Sequence, residues 1–234
     1  TEANGDFDPA ITLHENFNLD REYPDCGFIR PTGKVLVLTE GASDTKILAA
    51  AIPAMYPEFE DMFEFVDFEE FKIEGGVSMV VKMAKAFAGV RMSQSILALF
   101  DNDAAGFEGK ASLEKIVGLP NSIRAMTLPD LEIGRSYPTV GPEGERVMDI
   151  NGAACSIEFF LGRASLTDEK GCLLPVRWTN WNNRAKRYQG ALEFKNDATK
   201  KFLAELVHDR TPQELRDAFP EMNQLLEEIF VAFS

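Results

Sequence analysis

Four carboxylates in this chain have the spacing to share a cation. Glu40 and Asp44 close the segment Val35-Leu36-Val37-Leu38-Thr39-Glu40-Gly41-Ala42-Ser43-Asp44, and Asp101 and Asp103 close Ile96-Leu97-Ala98-Leu99-Phe100-Asp101-Asn102-Asp103. Each pair follows an apolar run of strand type. In an open parallel sheet, groups just beyond the carboxyl ends of the strands face one crevice, which would bring the four acids together. Two like charges about 4 Å apart repel by roughly 4 kcal/mol at an effective dielectric near 20, a cost that bound divalent cations reverse. The period of two along a strand puts Asp101 and Asp103 on one side and Asn102 on the other. Gly41 permits close backbone approach behind Glu40. An oxygen-only donor set without His or Cys favours Mg2+ or Mn2+ over zinc. A pair of such ions about 3.5 to 4 Å apart suits in-line hydrolysis of a phosphodiester, with Glu40 as a further candidate for general acid or base.

Each piece also has a plainer reading. An Asp-x-Asp at a strand end serves equally as a turn or a helix cap. Asp44 would fall in the first turn of the next helix, where the helix dipole tolerates a carboxylate. Gly75-Gly76 ahead of a helix would offer N–H groups to an anion or simply form a turn.

The elements that must position these groups follow from alternation. From Lys34 to about Pro129, strand-like runs alternate with helix-like segments, which predicts an α/β fold with a parallel sheet of about four strands covered on both faces. Strands are expected at 35–39, 63–68, 95–100 and 123–128, and helices at 43–55, 78–88 and 104–118. Residues 130–152 form a Gly- and Pro-rich connection, too long for a structureless loop, for which a small hairpin or a functional role is expected. A short helix over 156–161 follows. Residues 172–194 read as two strands around a polar turn at 180–186, and the C-terminus as two or three helices. Thr211-Pro212-Gln213-Glu214 is a capping box with Pro at the first helical position. The division expected is an arm or tail of an upstream domain over 1–33, a catalytic core over 34–130, and an extension over 131–234 that completes the site.

Composition removes several alternatives. The chain has 234 residues, 45% of them hydrophobic, ample for a packed core. Pro53, Lys82 and Lys85 interrupt the likeliest apolar stretches before they reach membrane-spanning length, and no secretory signal is visible, so the expected location is the cytoplasm. Cys26, Cys155 and Cys172 lack any paired spacing for zinc or a disulfide framework. His14 and His208 stand isolated, which argues against Ser-His-Asp or Cys-His catalysis.

A net charge of −14 weighs against contact with a polyphosphate. Its distribution weighs the other way. Arg177, Arg184, Lys186, Arg187, Lys195, Lys200 and Lys201 face two acids within residues 177–201, a local +5 that leaves −19 on the rest. Arg177, Arg184, Lys186, Arg187 and Lys200 are therefore candidate phosphate contacts, with Trp178, Trp181 and Tyr188 interleaved for base stacking; a solvated charged face and core packing of a Trp are the alternatives.

The segments LVLTEGASD, ending at Asp44, and LALFDNDAAG, ending at Gly106, closely resemble the Toprim domain of topoisomerases, bacterial primases and several nucleases. The resemblance spans 34–129 and implies a Rossmann-like sheet. Ser156-Ile157-Glu158 is similar to the Ser-x-Glu element of OLD-family nucleases, which implies that Glu158, with Ser156 beside it, completes a two-metal site. On that resemblance Glu40, Asp101 and Asp103 hold one ion and Glu158 with Asp44 the other. It also implies a supporting lysine, for which Lys195 is the first candidate and Lys200 and Lys201 the alternates. The stretch from Tyr137 to Glu158 looks like that of HEPN/Toprim-associated bacterial proteins, a setting of anti-phage defence.

The departures from these relatives shape the expected partners. Gly106-Phe107-Glu108-Gly109-Lys110-Ala111 is too short for a phosphate-binding loop and lacks its hydroxyl, so an ATPase would be a separate protein. No Arg stands four to six positions before either His, so HEPN chemistry would also come from a partner. Nucleic acid and a homo-oligomer are further expectations. Strand passage or priming would require large modules that are missing. A different class remains open: a non-catalytic acidic subunit that binds another protein through Glu58, Glu60, Asp61, Glu64, Asp67, Glu69 and Glu70 interleaved with Phe59, Phe63, Phe65 and Phe68, against which a solvated edge strand is the simpler account.

Overall fold

The computed structural model describes residues 33–183 and 186–233. The expected N-terminal arm lies outside the described residues up to position 32, as do Arg184, His14 and Cys26. Strand β1 (Val35–Leu38) is followed by helix α1 (Ala42–Met55), strand β2 (Phe63–Phe65), helix α2 (Val77–Gly89) and strand β3 (Ile96–Phe100). A two-residue strand β4 (Asn102–Asp103) leads into helix α3 (Ala104–Glu114), and β5 (Ile123–Thr127) completes this part. The result is a four-stranded, all-parallel sheet of order β2-β1-β3-β5, compatible with a Rossmann-like fold.

Strand alternation divides two cores across the sheet, as a period of two requires. Val35, Val37, Leu97 and Leu99 point to one face, where they meet Ile47, Leu48, Ala51 and Ile52 of α1. Leu38, Ile96, Ala98 and Phe100 point to the other, against Val80 and Ala84 of α2 and Leu113 of α3. The chain moves outward from β1 to β2 and then returns past β1 to β3. The sheet therefore changes direction between β1 and β3, and the crevice at their carboxyl ends is its topological switch point.

Helix α3 is short and carries Gly106 and Gly109, poor helix formers that close packing demands. A Cβ on Gly106 would lie 2.1 Å from the carbonyl oxygen of Asp101, and one on Gly109 would lie 2.5 Å from Val77 Cγ1 and 2.7 Å from Phe100 Cε1. The helix ends at Glu114, before the expected Gly118, and β2 stops at Phe65, before the expected Phe68.

The connection after β5 is a hairpin, β6 (Tyr137–Gly141) and β7 (Gly144–Met148), preceded by a 3-10 turn over Ile133–Ser136. A second hairpin, β9 (Val176–Asn182) and β10 (Arg187–Leu192), joins it through a parallel β6–β9 pairing to form a sheet of order β10-β9-β6-β7. Strand β8 (Ala154–Cys155) pairs antiparallel with β4. The expected helix at 156–161 is a single 3-10 turn, Ile157–Phe160. Helices α4 (Lys195–Leu206), α5 (Pro212–Ala218) and α6 (Pro220–Phe230) close the chain, and the Thr211 capping box starts α5 as expected. Phe202, Leu215, Met222 and Leu226 share one core with Ile47 and Leu48, so the C-terminal helices cover α1.

The acidic segment around β2 does not present its rings to solvent. Phe59, Phe63 and Phe68 are buried and Phe65 is half-buried against the core, which leaves an edge strand with acids outward. Among the described residues, no helix is long and apolar enough to cross a membrane.

Gly106→Ala should lower stability by more than about 2 kcal/mol, since its clash is with backbone rather than a movable side chain. Gly89→Ala, on open space at the end of α2, should be neutral or stabilising by up to ~1 kcal/mol. Urea denaturation of the two variants checks the contrast.

Candidate metal centre

The turn after β1 holds Glu40 by its backbone and aims its carboxylate at β3. Gly76 N–H donates to the Glu40 carbonyl at 2.6 Å, and a Cβ on Gly75 would lie 2.4 Å from that oxygen. The glycine pair therefore serves close approach to Glu40, and the Gly76 amide is already used. Thr39 Oγ1 donates to the Gly41 carbonyl at 3.1 Å and lies 2.9 Å from Thr45 Oγ1. At the start of α1, Gly41 N–H donates to Asp44 Oδ2 at 2.9 Å, so Asp44 stands in the first turn as expected. Across the switch point, Asp101 N–H donates to Glu40 Oε1 at 3.0 Å. This bond joins the ends of β1 and β3.

Asp103 is the N-cap of α3: its Oδ1 accepts from Gly106 N–H at 2.7 Å, while Oδ2 accepts from Gln189 Nε2 of β10. The capping role and proximity to the other acids are compatible, because Asp101 feels charges from Glu40, Asp44, Glu158 and Asp103. Between the two aspartates, Asn102 is buried and fully used. Its Nδ2 donates to Asp130 Oδ1 at 2.8 Å, and its Oδ1 accepts from Gly152 N–H at 2.7 Å. With the β4–β8 ladder, these bonds hold residues 152–155 against the Asp101–Asp103 turn.

The chain beyond β8 delivers Ser156 and Glu158 to the same place. Glu158 is 2% exposed; its Oε2 accepts from Ser156 Oγ at 2.5 Å, and its Oε1 lies 3.8 Å from Lys195 Nζ at the start of α4. Lys200 instead pairs with Asp197 at 3.9 Å, and Lys201 donates to the Thr167 carbonyl at 2.6 Å. Among the three candidate lysines, Lys195 is thus the one paired with the acids.

Repulsion and burial leave their mark on proton affinity. Burial first, then the charges of Asp103 and Asp44, push Glu40 up to about 7 despite the Asp101 N–H bond. Burial and the Glu158 charge push Asp44 up to about 6, against bonds from Ser43 and Gly41 and the nearby Lys195 charge. Burial, then Glu40, raises Asp101 well above the carboxylate range. The Cys155 thiol is pushed up by burial and by Asp101. Glu40, Asp44 and Asp101 therefore line one small cleft with Thr39 and Ile157, and the charges of Asp103 and Glu158 act on Asp101 there. In donor type and in unbalanced negative charge they fit a hard divalent ion. Their oxygens do not form a closed shell, however: among the described residues no group of three His, Cys, Asp or Glu is gathered to hold an ion as it stands, and Glu40, Asp44, Asp103 and Glu158 are each turned toward a backbone or side-chain donor.

The basic strip is divided. Arg187 Nη1 donates to the Gly152 carbonyl at 3.1 Å, beside the Asn102 bond, with its guanidinium 5.8 Å from the Phe107 ring centre. Arg177 pairs with Glu193 at 2.5 Å, and Lys186 is exposed at the hairpin turn. Asn102, Asp130 and Gln189 are site residues that sequence reasoning missed. Position between two aspartates was a usable signal for Asn102; nothing local marks Gln189, whose contact depends on how the second sheet docks. Comparison with protein-family models, curated proteins and solved structures gave no match.

Two outcomes follow from these contacts. Glu40 and Asp44 bind protons more tightly folded than unfolded, so their contribution favours the fold fully below about pH 4 and is lost as pH rises through about 6 to 7. In EDTA, Glu40→Gln should melt above wild type at pH 8, an advantage that shrinks by pH 5 and shrinks at pH 8 when Mg2+ is added; differential scanning fluorimetry reads both. Asn102→Ala strands the Gly152 N–H and one Asp130 oxygen, and should cost about 1–3 kcal/mol in chemical denaturation.

Proposed function

We propose that the chain is a Toprim-type nuclease, a phosphodiester hydrolase of DNA or RNA that depends on Mg2+ or Mn2+. The observation that carries this reading is the convergence of Glu40, Asp44, Asp101, Asp103 and Glu158 at the switch point of a parallel sheet, where burial and neighbouring charges raise the proton affinity of Glu40, Asp44 and Asp101. A stable fold gains nothing from such crowding, whereas dication binding is favoured by it. Glu40, Asp101 and Asp103 would hold one ion, and Asp44 and Glu158, the latter oriented by Ser156, a second. When bound, such ions stabilise the attacking and leaving oxygens of an in-line displacement.

The remaining roles belong to the chain itself. Glu40 Oε1 is held by the Asp101 N–H, which leaves Oε2 as the oxygen free to bind an ion or to exchange a proton with water or the leaving group. Lys195, half exposed and 3.8 Å from Glu158, offsets charge that develops on the phosphate. Leu99, Leu128 and Ile157 line the inner wall of the cleft and limit water there. The setting we propose is cytoplasmic anti-phage defence together with a separate ATPase or HEPN-type partner.

The test is cleavage of labelled single- and double-stranded nucleic acid with Mg2+ or Mn2+, alone and with candidate partners added. Wild type should cleave, EDTA should abolish cleavage, and Asp101→Ala and Glu158→Ala should each reduce it at least ~100-fold while retaining the wild-type circular dichroism spectrum. Unchanged activity in both variants rejects the assignment.

A further inference from the structure

The β9–β10 hairpin has two faces with different contents. On one, Arg187 and Gln189 reach the Gly152 carbonyl and Asp103. On the other, a stripe runs outward from the core: Val176 and Leu192 are buried, Trp178 opposite Gly190 is half-buried, and Trp181 opposite Tyr188 is exposed. Trp178 and Trp181 are three residues apart, which in a regular strand puts them on opposite faces. The register shift at Gln189/Gly190 leaves Thr179 unpaired as a bulge, and this brings both rings to one face. The backbone irregularity therefore serves the aromatic row. A Cβ at Gly190 would lie 2.8 Å from the Trp178 ring, so a glycine is what seats that ring against the strand.

Trp181 and Tyr188 are 47% and 49% exposed, and they pack edge-on with ring centres 5.0 Å apart. Tyr188 also lies 5.9 Å from the Trp178 ring. An edge-on pair leaves flat ring faces open. The exposed Lys186 adjoins the pair in a segment of positive charge, on a chain of net charge −14, while Arg187 serves the other face. The same strand contacts Asp103 through Gln189, the neighbour of Tyr188, whose side chain points to the opposite face of the strand. A ligand held on these rings is therefore on the far side of the hairpin from the acidic centre and would have to pass round the strand edge to enter it.

We propose that the Trp181–Tyr188 pair is a stacking platform for unpaired bases, so that the ligand taken by this face is single-stranded nucleic acid. This deepens the nuclease reading and rests on it for the fate of the bound strand. Charge complementarity selects a polyphosphate over an apolar peptide. Base faces are hidden inside a duplex and open in a single strand, which selects the latter.

Fluorescence anisotropy in EDTA, with a labelled oligothymidylate and a mixed-sequence duplex of equal length, tests binding apart from cleavage. The single strand should bind more tightly than the duplex, and Trp181→Ala and Tyr188→Ala should each weaken single-strand binding ~5- to ~100-fold, with duplex binding little changed and Trp181→Phe restoring most of the loss. Equal affinity for both forms, or unaltered single-strand affinity in both alanine variants, overturns the platform. So does a fall from dimer to monomer in Trp181→Ala by sedimentation velocity with no effect on oligonucleotide binding, which would make the rings a self-association surface. Binding as expected without metal-dependent cleavage would sink the nuclease reading and leave the platform standing; cleavage without the aromatic dependence would do the reverse.

Discussion

Repulsion among carboxylates held at one edge of a parallel sheet is the constraint on which the rest of the structure depends. Four of the acids there have donors of their own: Glu40 the Asp101 amide, Asp44 the Gly41 amide, Asp103 the Gly106 amide and Gln189, Glu158 Ser156 and Lys195. Hydrogen bonds of this kind favour the charged form. For Glu40 and Asp44 burial outweighs them, and burial with the neighbouring charges raises Asp101, so local satisfaction does not remove the collective cost. The surrounding structure must therefore hold the acids in place against their own field. The bond from Asp101 to Glu40, the glycines that admit close contact at 75 and 106, and the Asn102 crosslink all act to that end.

Much of this arrangement was legible because it depends on short-range pattern. Four strands and three helices of the parallel part follow from alternation and period, and Glu40, Asp44, Asp101 and Asp103 follow from their places at strand ends. Glu158 and Lys195 were legible only through resemblance, since 3-10 turns and helix starts carry many acids and lysines without consequence. What escaped was non-local. The β6–β9 pairing joins segments 37 residues apart in register, Thr139 with Val176, and no periodicity announces such a partner. The shortened β2 reflects a position at the sheet edge, where tertiary context overrides the propensity of Phe65–Phe68. Phe59, Phe63 and Phe68 looked like half of a contact surface because sequence does not reveal which face of an edge segment is covered.

Asn102 shows why the residue between two functional acids matters as much as the acids. A strand period sends its side chain away from the Asp101 and Asp103 carboxylates. That direction leads into the protein, where its amide supplies one donor and one acceptor to Asp130 and Gly152. Aspartate there would add another buried charge and lose the donor; leucine would leave two polar partners unsatisfied. The requirement is for a neutral group that bonds in both directions.

The same reasoning extends to the second sheet. Gln189 reaches Asp103 as a neutral donor from β10, and Arg187 reaches only a carbonyl, so this strand supports the acidic turn without neutralising it. Had Arg187 paired directly with Asp103, the site would have lost part of the negative charge that would draw a cation. The exposed Lys186 stands at the hairpin and the negative charge at the switch point, the places where, on the proposed function, a polyanion and a dication would be met. On the proposed function, this separation would give a nucleic-acid strand and metal ions distinct places to bind, and it comes from the docking of the second sheet on the first rather than from any single residue.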